Sequence, residues 1–291
     1  MKSRFTFMFA GWALAAMTVL ATAQTAPLEL PKIITAGTAL SVSTEGSGKA
    51  VLYIVGPGQA LRRDLQLGET IVFGPGDIHN AGHYTAALVG SSSTQTAEFD
   101  VTAAKQPSML SFLAKPSRLP VDMHDGIGGV VYVFDAFRNL VLQPTEVSFE
   151  LLGIRGATQT RVARTQNGVA WVEMDSAPKA GTAQFQARVG NTTEKRIIQQ
   201  VPGEPCNLRM SARRSGARVE LETESLHDCK GNPITDGTVV TFKETYQGGE
   251  TTVDVPLKRG VARTNVPAYD GSIISVATGV VMGNEIHWQD R

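Results

Sequence analysis

The sequence is poor in several things, and each shortage excludes a class of protein. Charge is scarce, at 19% of residues, and neither sign is in excess, with Lys+Arg 27 against Asp+Glu 27. Phosphate neutralisation requires a basic excess or patch, so a nucleic-acid partner is not expected. Hydrophobic residues at 42% still supply packed cores, which sets the chain apart from a disordered one. There are only two cysteines, Cys206 and Cys229, and five histidines. The cysteine spacing is not CxxC and no third or fourth ligand stands near, so neither a zinc site nor a redox pair is expected. No HExxH and no GxSxG occurs. Helical periodicity is almost missing.

Long apolar runs are also missing beyond the first 23 residues. Lys2 and Arg4 precede an uncharged apolar run from Phe5 to Leu20, and Ala21-Thr22-Ala23 places small residues at a cleavage site before Gln24. These are the three parts of a secretory signal, expected over 1–23. The alternative is a membrane anchor, but the run is shorter than the roughly 20 residues a span usually takes. No lipid-anchoring Cys follows, and no membrane span is expected after cleavage. Loss of Lys2 and Arg4 leaves 25 basic residues against 27 acidic ones. The protein is therefore expected to be exported, to the periplasm or beyond.

Export also bears on Cys206 and Cys229. An even pair in an oxidising compartment reads as a disulfide, with two buried free thiols as the alternative. Asn207 to Ala212 and Arg218 to Thr223 read as strands around a Ser215-Gly216 turn, which brings the two cysteines to the same end. Closing a loop of 23 residues (229 − 206) adds about 3 kcal/mol in the chain-entropy model.

What the chain does contain is short β-branched runs between Gly, Pro, Asn and Asp. They are Ala39 to Thr44, Ala50 to Val55, Tyr84 to Val89, Val130 to Phe134, Glu146 to Leu152, Val169 to Met174, Thr238 to Thr245 and Ser272 to Thr278. Their length and spacing predict an all-β protein of sandwich type. Asn167-Gly168, between two runs, is the strongest hairpin signal.

An internal repeat organises the second two-thirds. Asp135, Asn139, Thr145, Val147 and Phe149 match Asp228, Asn232, Thr238, Val240 and Phe242 at an offset of 93 (242 − 149). Gly168-Val169-Ala170 matches Gly260-Val261-Ala262 at 92, and Ala187 matches Ala277 at 90. A period near 90 is domain-sized. Domains are expected at 24–104, 105–203 and 204–291, behind the signal peptide.

The repeated Asp-x-x-x-Asn, followed by Thr-x-Val-x-Phe, resembles the bacterial immunoglobulin-like domains of the invasin/intimin type. Asp228-Cys-Lys-Gly-Asn232 and Thr238-Val-Val-Thr-Phe242 are close to that pattern. The other copy departs from it, with Arg138 for the Gly and Gln143-Pro144 for the Asp-Gly. The resemblance implies tandem seven-stranded sandwiches without catalytic residues, serving as stalks, spacers or adhesion modules. In the first domain, Tyr84 is expected to form a tyrosine corner, its hydroxyl returning to the backbone.

Other candidates are weaker. Gly46-Ser47-Gly48-Lys49 is a fragment of a phosphate loop, but Ala50 replaces Ser/Thr and a strand follows. Asp77, His79 and His83 are a possible acid–base or metal cluster, as are Asp122, His124 and Asp125; Asp122 and Asp125 are also calcium candidates. Solvated loop residues are the simpler reading of all six. Trp171 falls at a core-type position, leaving Trp288 as the exposed aromatic a glycan site would use. No enzyme activity and no cofactor are expected. The partner is expected to be a protein or surface glycan at the cell envelope, with an assembly or chaperone-like subunit as a further possibility.

Overall fold

The computed structural model describes residues 28–91, 93–267 and 269–289. The expected signal peptide, 1–23, lies outside the described residues. The fold is all-β, with a single 3-10 turn at Ile154–Gly156 as its one helical element among the described residues. Two compact units are present. Among the described residues, the first takes 28–34, 38–78 and 82–101; the second takes 35–37, 79–81 and those from 102 onward.

The first unit is built on β1(Ile33–Thr35), β2(Leu40–Ser43), β3(Lys49–Gly56), β4(Gln59–Gln66), β5(Thr70–Phe73), β6(Gly82–Gly90) and β7(Thr94–Thr102). One sheet has the order β1-β7-β6-β3-β4 and the other pairs β2 with β5. Alternation places Leu52 and Ile54 of β3 and Tyr84 and Ala86 of β6 inside. Tyr84 is fully buried and stacks on Phe99 at 5.4 Å. Its hydroxyl donates to Gln59 Oε1 at 2.8 Å, and Gln59 Nε2 donates on to the Asp77 carbonyl at 2.7 Å. The expected corner thus reaches the backbone through a side-chain relay. The Gly46–Lys49 fragment lies in the turn leading from β2 into β3, and a strand follows it as its sequence implied.

The second unit contains two sandwiches, each around its own core. One uses β8(Met109–Lys115), β9(Arg118–Pro120), β10(Ile127–Phe134), β11(Glu146–Leu152), β12(Thr158–Arg164), β13(Val169–Met174), β14(Gly181–Val189) and β15(Thr192–Val201). Its sheets run β13-β10-β8 and β12-β11-β14-β15-β9. The other uses β16(Met210–Ser215), β17(Arg218–Thr223), β18(Val239–Tyr246), β19(Gly249–Pro256), β20(Arg263–Pro267), β21(Ile273–Thr278) and β22(Val281–His287), in sheets β16-β17-β20 and β19-β18-β21-β22. We call them the second and third sandwiches.

Strand registers match between them. Phe149 pairs with Ala187 across β11–β14, and Phe242 pairs with Val276 across β18–β21. All four side chains are buried, with both Phe rings fully inside. Ala187 therefore corresponds to Val276, at an offset of 89, and the expected match to Ala277 is one residue out of register. A one-residue slip turns a side chain to the other face, and Ala277 is the outward-facing neighbour.

The Asn167-Gly168 signal makes a two-residue turn, with φ of 50° and 82° and a Gln166–Val169 bridge. Yet the strands it joins, β12 and β13, belong to opposite sheets. Arg259-Gly260 repeats the turn in the third sandwich, with φ of 53° and 78°. There the Asp236 carboxylate accepts both backbone N–H groups, at 2.8 and 2.9 Å, which holds its pKa below the ordinary carboxylate value. Cys206 and Cys229 form a disulfide, their Cα atoms 5.2 Å apart. Cys206 lies ahead of β16, which begins at Met210, and the Asn207 side chain accepts from His227 N and donates to the Ser225 carbonyl.

Candidate functional site

Two places in the second unit carry more structure than a sandwich requires. The first is the Asp-x-x-x-Asn motif. Asp228 Oδ1 accepts from the backbone N–H groups of Lys230 and Asn232, at 2.9 and 2.8 Å. Its Oδ2 accepts from Gly203 N at 3.1 Å and Asn232 Nδ2 at 2.8 Å. Asn232 then reaches into the preceding sandwich: Nδ2 donates to the Pro178 carbonyl at 2.9 Å, and Oδ1 accepts from Ala180 N at 3.0 Å. One buried pair thereby fixes its own turn, the connecting segment and the end of the neighbouring sandwich. Lys230 adds an ion pair to Asp122 at 2.8 Å.

The same geometry recurs at Asp135 and Asn139. Asp135 accepts from the N–H groups of Phe137, Asn139 and Ala104 and from Asn139 Nδ2, at 2.8–2.9 Å. Asn139 holds the 79–81 segment of this unit through the His79 carbonyl at 2.7 Å and Ala81 N at 2.8 Å. Burial alone would raise the pKa of either Asp, but these donors outweigh it and both lie below the usual carboxylate range. Arg138, standing where the other copy has Gly231, adopts the same left-handed backbone, φ 67° against 71°. The sequence showed turn chemistry here; the reach of the Asn across to another module was missed. Its signal was the Asn itself, repeated four residues after the Asp.

The second place is the outer face of the β8–β10–β13 sheet. Strand register aligns its outward side chains in rows: Leu113–Val130–Trp171, then Ser111–Tyr132–Val169. Trp171 is 56% exposed and Leu113 is 50% exposed. This corrects the core position expected for Trp171: β13 is buried through Ala170 and Met174, and alternation turns Trp171 outward. Trp288, expected to be exposed, instead packs on the third sandwich's core. The row Lys115–Gly128–Glu173 borders the apolar rows.

The other candidate residues separate. Asp77 accepts the Gly74 N–H at 2.9 Å and lies 3.7 Å from Arg63. His83 bonds to Asp100 at 3.0 Å, with Glu98 at 3.6 Å, and these carboxylates raise its pKa, the Asp100 hydrogen bond foremost. His79 stacks against Phe137 at 5.9 Å. His124 and Asp125 do meet, together with Asp175, which the sequence reading had not included. His124 Nδ1 lies 2.7 Å from Asp175 and Nε2 lies 3.1 Å from Asp125. Their ligand atoms fall within 4.8 Å of one another, but the imidazole is 82% exposed. Asp175 is held below its ordinary pKa, chiefly by the Asp125 N–H. Asp122 stands apart on Lys230, so the two calcium candidates have different partners.

An open groove of about 650 Å³ lies along Val255, Pro256, Lys258, Arg259, Val261 and Arg263, and offers cations and apolar groups but no acid–base pair. No helix among the described residues is long and apolar enough to cross a membrane.

No family model and no curated protein matches the sequence. Solved structures do. The chain is similar to the adhesin FdeC of Escherichia coli, at 15% identity and TM-score 0.54, covering 87% of this chain and 94% of that one. InvD of Yersinia pseudotuberculosis matches at 11% identity and TM-score 0.41, over 89% of this chain and 84% of that one. Invasin, a bacterial integrin-binding protein, matches at 12% and TM-score 0.45, over 87% of this chain and 56% of that one. The likeness to the adhesin FdeC holds at the level of fold.

Proposed function

We propose that this chain is exported and serves as a binding, adhesion or spacer module at the bacterial envelope, without turnover of its own. Behind a signal peptide at 1–23, it comprises Ig-like sandwiches at 24–104, 105–203 and 204–291. The observation that carries this reading is the Asp228–Asn232 joint. It devotes a buried carboxylate and a buried amide to holding one sandwich against the next, which serves the presentation of surfaces and does no chemistry. The histidines and acids that could have formed an active site lie apart, most of them in separate ion pairs with His79 stacked on Phe137, whereas catalysis needs them gathered in a water-excluding pocket. The fold-level likeness to an adhesin supports the same class. The partner is a protein or a surface glycan.

Fractionation of cells expressing the tagged full chain tests this. The expected product begins at Gln24 and is found in the envelope fraction or the medium, and the purified form binds envelope preparations. Retention in the cytoplasm with an intact N-terminus would overturn the reading.

A further inference from the structure

We propose that the outer face of the β8–β10–β13 sheet is a self-complementary surface that binds the same face of a second copy of this chain. The proposal does not rest on the adhesive reading. It begins with the charges beside the apolar rows. Lys115 on β8 and Glu173 on β13 are both exposed and point outward from the same row, separated by Gly128. Two strand spacings, roughly 10 Å, lie between them. That is too far for an ion pair, and neither has one among the described residues. The third sandwich treats the matching row differently. There Arg213, on an edge strand, pairs with Glu220 at 2.9 Å on the middle strand, where the second sandwich has Gly128. Among the described residues, the second sandwich leaves both of these charges to solvent.

A two-fold axis parallel to β10 satisfies them. Packing this face on its copy exchanges the two edge strands and keeps each row opposite itself. Lys115 then meets Glu173 of the second copy, and the reverse. Leu113 meets the larger Trp171, again reciprocally, and Val130 on the middle strand meets its own equivalent. Charge and size are thus complementary under one symmetry operation, as an isologous contact requires. The arrangement is the aligned face-to-face packing of sheets, about 10 Å apart. The face measures on the order of 15 by 25 Å per copy from strand spacing and rise. That is below the roughly 800 Å² per partner of standard interfaces, so the dimer is weak and is populated where copies are crowded.

Sedimentation equilibrium of the secreted chain, up to about millimolar concentration, provides the test. The expected result is a monomer–dimer equilibrium. Trp171→Arg, which installs the residue of the third sandwich at the matched position 263, should abolish the dimer while thermal melting stays unchanged. Glu173→Lys and Lys115→Glu should each weaken self-association at least about tenfold, because both reciprocal pairs become repulsive. The double exchange should restore it, and an equimolar mixture of the two single variants should form a mixed dimer. A wild-type chain that stays monomeric throughout overturns the proposal, as does a dimer indifferent to these changes. Quenching of Trp171 fluorescence by an oligosaccharide or a foreign protein, without self-association, would assign the face to that occupant instead.

Discussion

The second and third sandwiches hold the same frame, and two of their differences are instructive. Both place a Phe at the centre of a core strand, both carry the hydrogen-bonded Asp–Asn pair, and both have the same left-handed turn residues. They part on the outer face of the smaller sheet. There the second sandwich has Leu113–Val130–Trp171, and the third has Ser211–Glu222–Arg263 with Arg263 and Glu222 in an ion pair. They part again at one end of the core, where Leu151 faces Phe185 in the second sandwich and Glu244 faces Ile274 in the third. The comparison separates what the fold demands from what it leaves free. Interior positions and the joint are tied to packing and to buried hydrogen bonds. The outer face is not, so an apolar Trp row there is a property of that sandwich and not of its architecture.

The largest expected effect tests the shared frame. Val147→Asp and Val240→Asp each bury an unpaired charge at matched positions with no exposure, and each should cost more than about 4 kcal/mol. Urea unfolding of the two variants should show comparable losses. A large cost in one and a trivial cost in the other would break the equivalence.

The joint comes next. Asp228→Ala orphans four donors, and Asn232→Ala orphans the Ala180 N–H and the Pro178 carbonyl. About 2–4 kcal/mol for the first and 1–3 kcal/mol for the second are expected. Thermal melting measures the loss, and limited proteolysis between 201 and 210 should show the connection opening. The sign with pH follows from the lowered pKa of Asp228. Its contribution is fully present above the unfolded value of about 4 and is lost as pH falls through the lower folded value. Asp228→Asn should flatten that acid limb; an unchanged limb would place the acid sensitivity elsewhere.

The predicted strands of the interior were legible because their side chains alternate into a core. β3, β6, β11, β13 and β18 all appear as apolar runs. Among the strands that the sequence concealed are their polar partners, β4, β12, β15, β19 and β22. In these few side chains are buried and ladder hydrogen bonds to the neighbour define the strand, so no apolar run marks them. The two tryptophans show the limit at the level of a site. Trp171 lies in a strand rich in apolar residues, and period-two alternation alone does not say which set faces inward when both sets are apolar. The pairing of Ala170 with Val131 decides it. Trp288 follows β22, one of the concealed strands, so its inward face could not be read. The joint was half legible: Asp–Asn turn chemistry is local, while its partners lie about 50 residues earlier in the chain.

Converting one end of the third core into the second should act in the opposite direction. Glu244 is fully buried, one oxygen accepting from Ser272 Oγ at 2.9 Å and the other without a partner among the described residues. The matched residues in the second sandwich are Leu151 and Ala183, both buried. Glu244→Leu with Ser272→Ala should stabilise by about 1–2 kcal/mol, since a buried polar pair is replaced by apolar groups of similar size. A destabilised double variant would show that this end of the third sandwich is built around its carboxylate.

The smallest effect concerns a single backbone angle. Arg138 and Gly231 occupy the same place in the two joints and the same left-handed conformation. An L-residue with a Cβ pays about 1 kcal/mol there, whereas Gly adopts it freely at the expense of a more flexible unfolded chain. These terms nearly offset, so Arg138→Gly should raise stability by only about 0.5 kcal/mol. Gly231→Arg should lower it by about as much or slightly more. The two exchanges must carry opposite signs if the joints are the same device. Matched denaturation curves for both variants decide it, and equal signs would mean that the two turns are held differently despite their common angles.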